Sequence, residues 1–291
     1  MKSLLEMQSL ESVMGKLPNA GLADARRAAF QRLEREGLPS TRHEDWKYTD
    51  LTPVVDINNA WAAAGATAAR IDDDEVAAIT AQLDVDWLII RNGTIDLTSV
   101  AALDQAGVHI QLLSEGSEIP SSAGALSDLN AAFLGDGLSI AVTEDCTGER
   151  PIGLLHIDST DEAVGVSQTR IVIDVAANSR AKFVECQVSS GDPAHYSNSV
   201  IDCRLGAEAQ VDYLRLQNRA VAHCHTGLLH AALGAQSEVR HAAYDLGGKL
   251  VRSDLHIDIG GPDARATFAG LYLANAAQHI DNHTRVDHRV G

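Results

Sequence analysis

The chain has 291 residues, 45% of them hydrophobic and only 4% aromatic, with four cysteines and a formal net charge of −17, which suits one large or two modest domains with an aliphatic core. That charge argues against nucleic acid or an anionic membrane as the main partner, since both need a basic footprint, and no apolar run approaches the roughly 20 residues of a membrane helix. The opening segment from Met1 to Glu6 lacks a signal-peptide core, and Cys146, Cys186, Cys203 and Cys224 show no CxxC spacing, so the expectation is a cytoplasmic chain with reduced thiols.

In chain order, Ala25, Ala29, Phe30 and Leu33 mark one face of a helix from Ala23 to Glu36, ended by Gly37-Leu38-Pro39. Asn58 to Arg70 is rich in alanine and reads as a connector. A short helix is expected from Asp73 to Leu83. Asp86 to Arg91, the turn Asn92-Gly93 and Thr94 to Leu97 read as a hairpin, because Asn-Gly readily takes the positive φ of a tight turn. Gly107 to Leu113 adds a strand, and Asp128 to Leu134 one or two helical turns. The chain is thus expected to divide into an N-terminal helical and mixed α/β region, residues 1–136, and a repetitive region, residues 137–291.

From Gly137 onward, segments overlay at a constant step of 28 residues, with Asp174, Asp202, His230 and Asp258 in one column. Ile173, Ile201, Leu229 and Ile257 form the column before. After one inserted residue near Gly261, Phe183, Val211, Val239 and Phe268 align as well, followed by Cys186, Leu214, Ala242 and Leu271. Self-similarity at this period marks a solenoid, and the apolar alternation with period two makes its elements strands. A mainly β fold follows, a parallel β-helix with an N-terminal helical cap, its turns at residues such as Gly206, Gly234 and Gly247-Gly248.

Several residues invite a chemical reading. His223-Cys224-His225 has metal-ligand types, but on a strand the histidines share one face and the cysteine points to the other. Cys186 and Cys203 sit in apolar columns and read as small buried hydrophobes, whereas Cys146, beside Thr143-Glu144-Asp145, reads as exposed. The column Asp174, Asp202, His230, Asp258 reads as a solvated outer face, because stacked carboxylates repel. His279, Asp281 and His283 share a strand face, an arrangement open to two readings: a metal site, for which His279, His283 and His288 are the candidates, or a hydrogen-bonded interface formed by His279, Asp281, His283 and His288. The motifs GxSxG, GxxxxGK[ST] and HExxH are absent, and no catalytic residue is assigned.

Two stretches taken together, Glu44-Asp45-Trp46-Lys47-Tyr48-Thr49-Asp50-Leu51 and Gln278-His279-Ile280-Asp281-Asn282-His283 leading to Val286-Asp287-His288, resemble the SufB/SufD family of iron-sulfur cluster assembly proteins. The Trp-Lys-Tyr-Thr pattern, the helical cap and the lack of cluster-ligand cysteine motifs resemble the SufD side of that family. The resemblance implies a right-handed parallel β-helix and a non-enzymatic scaffold role. It implies pairing with SufB through the β-helix, docking of the SufC ATPase, no intrinsic cofactor and a transient iron-sulfur cluster in the complex. Glu44, Trp46 and Tyr48 would be structural, anchoring the cap, and His279, Asp281, His283 and His288 would lie toward the SufB-facing end. Family members continue beyond the counterpart of Gly291 into a C-terminal helical domain, so SufC docking and a Cys-x-His motif are not carried onto this chain. Self-pairing into a homodimer is a further expectation. Two other classes stay open: a β-helical carbohydrate-active enzyme with carboxylates along one face, and a His-rich metal-binding β protein. The first lacks a secretion signal and aromatic platforms for sugars, and the second is at odds with an open stack.

Overall fold

A computed structural model describes residues 5–64, 71–114, 117, 119, 124–144, 146–159, 164–192 and 194–290. Helices α1 (Met7–Met14), α2 (Ala23–Glu36), α3 (Thr52–Ala64) and α4 (Asp73–Thr80) precede a hairpin of β1 (Asp86–Arg91) and β2 (Thr94–Ile95). Helix α5 (Leu97–Ala102), strand β3 (Val108–Leu112) and helix α6 (Ala125–Ala132) follow. The strands β4 (Gly137–Val142), β5 (Ile152–Asp158), β6 (Gly165–Val175), β7 (Arg180–Ser189), β8 (His195–Leu205) and β9 (Gln210–Asn218) begin the solenoid. It runs on through β10 (Cys224–Leu233), β11 (Glu238–Asp245), β12 (Leu250–Ile259), β13 (Arg265–Tyr272) and β14 (His279–His288).

Alternate strands go to two seven-stranded sheets, β13-β11-β9-β7-β5-β1-β2 and β14-β12-β10-β8-β6-β4-β3. Every pairing is parallel except β1 with β2 and β3 with β4. This is the expected parallel β-helix. Both sheets also take in strands from before Gly137. The space between them holds an aliphatic ladder including Leu138, Ile140, Ile171, Ile173, Ile201, Ala231 and Ile257, each fully buried leucine or isoleucine contributing about 1.5–3 kcal/mol.

The corners stack as regularly as the strands. Asn178, Glu208, Gln236 and Asp263 each take a left-handed conformation. Their coils are tied by Asn178 N to Ala207 O (2.9 Å), Glu208 N to Ala235 O (2.8 Å) and Gln236 N to Pro262 O (2.8 Å). Glycine is needed where backbones meet: a Cβ on Gly206 would lie 2.6 Å from Ala177 N, and one on Gly247 2.1 Å from Arg219 O.

The cap closes over the starts of the second sheet's strands. Leu10, Phe30, Leu33, Leu51, Trp61 and Phe133 pack with Tyr196, Cys224 and Leu250, Phe30 and Trp61 meeting Phe133 edge-on at 6.2 and 6.0 Å. Asn130 Nδ2 on α6 donates to Thr169 O (3.0 Å) and Asn198 O (2.9 Å), pinning the helix to β6 and β8.

The structure corrects several expectations. Asn58–Ala64 is the second half of α3 rather than a connector, because Val54, Asn58 and Trp61 form a buried stripe at helical spacing; residues 65–70 lie outside the described residues. Leu97 opens α5 instead of ending the hairpin, since the Asp96 carboxylate accepts from Thr98 N and caps the helix. Cys146 is buried in the aliphatic ladder, not exposed; Asp145 lies outside the described residues. The constant 28-residue step holds from β8 to β10, where Asp202 faces His230. In the step before, Asp174 faces Arg204, and in the step after, His230 faces His256. Likewise Phe183, Tyr213, His241 and Phe268 share a column in the first sheet, instead of Phe183 with Val211 and Val239. Each of these slips is two residues, one strand period, so the apolar pattern survives it.

Candidate functional site

Toward the starts of the second sheet's strands, the interior of the solenoid changes from aliphatic to polar. Tyr213 Oη donates to Glu185 Oε2 (2.8 Å) and Gln187 Nε2 to Glu185 Oε1 (2.6 Å), while Arg215 reaches Asp245 Oδ2 (2.8 Å) and Ser253 Oγ (2.5 Å). Arg219 pairs with Asp158. Burial would raise the Glu185 carboxyl, but His156 at 3.3 Å, Arg215 and Gln187 outweigh it and hold it down to about 2. Burial pushes His195 and His241 down to about 4, and His223 and His225 well below the ordinary imidazole value. At neutral pH Glu185 is therefore ionised and the rings of His195, His223, His225 and His241 are neutral. His223 and His225 do share a face, and the Ser197 hydroxyl sits between them, 2.8 Å from each ring.

The four thiols are all buried. Burial raises Cys186 to about 11, Cys203 to about 12 and Cys224 to about 11, so the thiolate form that binds metal or attacks sulfur is suppressed.

The outer column is not a solvated row of carboxylates. Asp202 is 2% exposed, covered where Arg170 reaches across to Ser127 of α6 and comes within 3.6 Å of Asp202. His230 stands between Asp202 (3.4 Å) and Asp258 (3.2 Å), and Arg204 meets Asp174 at 3.1 Å. Cations interleave the acids, which removes the expected repulsion.

The richest polar junction lies where the cap meets β12 and β14. A 3-10 turn over Glu44–Trp46 lays the Trp46 ring 4.3 Å from the Arg252 guanidinium. Arg252 donates to Asp45 O (2.9 Å), Asp254 Oδ1 (2.8 Å) and Asp281 Oδ2. The buried Thr49 hydroxyl donates to Asp281 and lies 3.1 Å from His279 Nε2. His283 faces Asp254 in register, its Nδ1 3.4 Å from Asp254 Oδ1 and its Nε2 3.9 Å from Asp45 Oδ1. A groove of about 420 Å³ opens beside them, lined by Trp46, Leu126, Arg252, Asp254, His256 and His283 among others.

His279, Asp281 and His283 therefore come together on one strand face, turned toward the cap. His288 does not join them, being exposed and of opposite strand parity. Glu44 is exposed too. Tyr48, expected to anchor the cap, is 80% exposed; Thr49 and Trp46 make the contacts assigned to it. Arg252, Asp254 and His256 went unnoticed in the sequence, although their alternation puts three polar groups on one face of a strand, and Thr49, part of the Trp-Lys-Tyr-Thr pattern, was given no role of its own.

Residues 156–291 match the family model for the SUF system FeS cluster assembly SufBD core domain, and residues 7–154 the model for the SufBD protein N-terminal region. The iron-sulfur cluster assembly protein SufD of Escherichia coli (strain K12) is 24% identical over 269 residues, covering 90% of this chain and 62% of that protein. An iron-sulfur cluster assembly SufBD family protein of Synechocystis sp. is 25% identical over 313 residues, covering 97% of this chain and 66% of its own length. A SufBD family protein of Mycobacterium leprae is 25% identical over 210 residues, covering 70% of this chain and 50% of the relative. This chain thus spans less than two thirds of each of these relatives. With a two-sheet parallel solenoid, a helical cap clasped onto it, and family models matched on both sides of residue 155, the chain belongs to the SufBD family of iron-sulfur cluster assembly proteins.

Proposed function

We propose that this chain is a non-enzymatic scaffold subunit of the SUF machinery, pairing through its β-helix with the related subunit SufB and working with the ATPase SufC. The observation that carries the reading is the state of its cysteines. All four are buried, and three are held protonated by burial, so thiolate ligands for a nascent cluster would come from the partner while this chain supplies shape and support. The interior network adds to this, its charges being locked in pairs rather than presented to a substrate. A cluster would then be cargo of the complex and not a resident of this chain.

The test is co-expression of the 291-residue chain with SufB and SufC from the same genome, followed by affinity capture on this chain. Retention of SufB supports the scaffold reading, and retention of SufC extends it to the ATPase. Loss of both overturns it. Self-pairing through the same sheet edges is the homotypic version of this contact, and a sharp monomer in light scattering at micromolar concentration would exclude it.

A further inference from the structure

We propose that Asp254, His256 and His283 form a binding site for one divalent first-row transition metal ion, at the wall of the groove between cap and solenoid. One ligand atom from each lies within 4.8 Å of the other two. The placement follows from the sheet: Asp254 and His256 are two residues apart on the same face of β12, and His283 is the register partner of Asp254 on β14. Three ligands on two hydrogen-bonded strands are held by the backbone, so only side-chain rotation is needed to bring them to the roughly 3.4 Å mutual spacing implied by metal–ligand bonds of about 2.1 Å.

Independent features point the same way. His283 Nδ1 is buried with no hydrogen-bond partner, 3.4 Å from the Asp254 carboxylate. Arg252 engages Asp254 through Oδ1 at 2.8 Å, which fixes the carboxylate and leaves Oδ2 for an ion, while Asp281 takes the other side of the same guanidinium. Asp45 reaches in from the cap, its Oδ1 3.9 Å from His283 Nε2. Around the site stand Asp45, Asp254 and Asp281 with Arg252, while Arg285, opposite His256, is itself paired with Asp287 at 2.9 Å, so that the carboxylates exceed the arginines by two. The remaining coordination positions open onto the groove.

Buried imidazole nitrogens without a hydrogen-bond partner occur elsewhere, among them His156 Nε2, 3.3 Å from Glu185, but among the described residues no other three ligand atoms of His, Cys, Asp or Glu come this close together. His230 has both ring nitrogens against carboxylates, Asp202 and Asp258, and His223 and His225 are joined by Ser197 with no carboxylate in the pair of bonds. Two imidazoles and a carboxylate, without thiolate, select Fe2+, Co2+ or Zn2+ over Ca2+ or Mg2+. A role for the site in iron handling would rest on the scaffold reading above; the affinity itself does not.

The experiment is anaerobic equilibrium dialysis of the untagged chain against Co2+ and Fe2+, with the visible d–d absorption of Co2+ reporting nitrogen and oxygen ligation. One ion per chain is expected. Affinity should fall at least tenfold in His256→Ala and in His283→Ala and stay unchanged in His230→Ala. His283→Gln keeps a polar side chain on the strand, and its thermal melt and loss of binding separate ligation from folding. Absence of stoichiometric binding in the parent chain, or binding that survives the double variant of His256 and His283, overturns the proposal. Failure to capture SufB with Co2+ binding intact would remove the scaffold reading and leave the metal site standing.

Discussion

Thr49 joins residues far apart in sequence: its single hydroxyl serves both His279 and Asp281, 230 and 232 positions downstream. Removing it takes one of two donors from the partly buried Asp281 carboxylate, Arg252 being the other, and Thr49→Val is expected to lower stability by about 1 kcal/mol, with Thr49→Ser close to the parent; urea denaturation of the three proteins checks this. At the same scale, the thiols of Cys186, Cys203 and Cys224 should resist alkylation. With values near 11 to 12, the thiolate fraction at pH 8 is on the order of one in a thousand or less. Labelling of the folded chain at that pH should be slow and limited by unfolding, all four thiols reacting promptly in denaturant. Rapid labelling of any of the three in the folded chain would refute the burial argument.

At the scale of the element, His230 and its two flanking aspartates behave as a clasp across β8, β10 and β12. Hydrogen bonding to Asp202 raises the His230 value against the opposing effect of burial, and Asp258 adds to the rise. A histidine whose folded value lies above its unfolded one stabilises fully below the unfolded value, near 6.5, and loses that contribution as pH rises through the folded value. His230→Gln should therefore cost about 1 kcal/mol at pH 6 and less at pH 9, measured as the change in urea midpoint at each pH. The corners are more brittle. Because its added Cβ would fall 2.1 Å from Arg219 O, Gly247→Ala should destabilise by roughly 2–3 kcal/mol or more, lowering the thermal midpoint. Legibility in sequence followed the same divide between elements. Helix α2 was readable in its bounds and in Ala29, Phe30 and Leu33 of its buried stripe, though the buried Arg26 stands where Ala25 was expected, and the β1–β2 hairpin was readable from Asn92-Gly93, both at positive φ. The second half of α3 was masked by its alanines, whose uniformity hides the face that Asn58 and Trp61 bury. The strands were legible as strands but not in register. A displacement of two residues keeps every side chain on its face, so an apolar pattern alone cannot distinguish Asp202 from Arg204 as the partner opposite Asp174.

For the whole molecule, the buried histidines dominate the response to acid. His195 and His241 are held at about 4 in the folded chain by burial, below an unfolded value near 6.5. The unfolded chain therefore takes up protons first, and stability drains as pH falls from 6.5 toward 4, by roughly 3 kcal/mol for each of the two. His223 and His225 act in the same direction. Glu185, held to about 2, extends the loss from pH 4.5 downward, because a depressed carboxyl stabilises above its unfolded value and ceases to do so as it protonates. Calorimetric scans from pH 7.5 to 4.5 should show a steady fall in Tm beginning near pH 6.5; a flat profile would contradict the buried, neutral state of these rings. The candidate site was half legible at this scale. His279, Asp281 and His283 announce themselves by alternation on one strand, but what they meet comes from the cap and from β12, and such contacts between distant segments leave no periodic trace. The part played by Arg252, Asp254 and His256 became visible only once β12 lay against β14, and that of Thr49 once the cap met β14.

Coil length varies around this solenoid while the strands stay paired: partners lie thirty residues apart from β6 to β8, twenty-eight from β8 to β10 and twenty-six from β10 to β12. The two-residue differences fall in the corners that return the chain from the first sheet to the second, β7 to β8, β9 to β10 and β11 to β12, whereas the left-handed corners from β6 to β7, β8 to β9 and β10 to β11 keep one length. For inheritance, this makes the corner the place where residues can be gained or lost without rewriting either sheet. Relatives at 24–26% identity should accordingly differ by short gaps clustered at corners, and the coil, not the residue, is the unit by which such a lineage is best aligned.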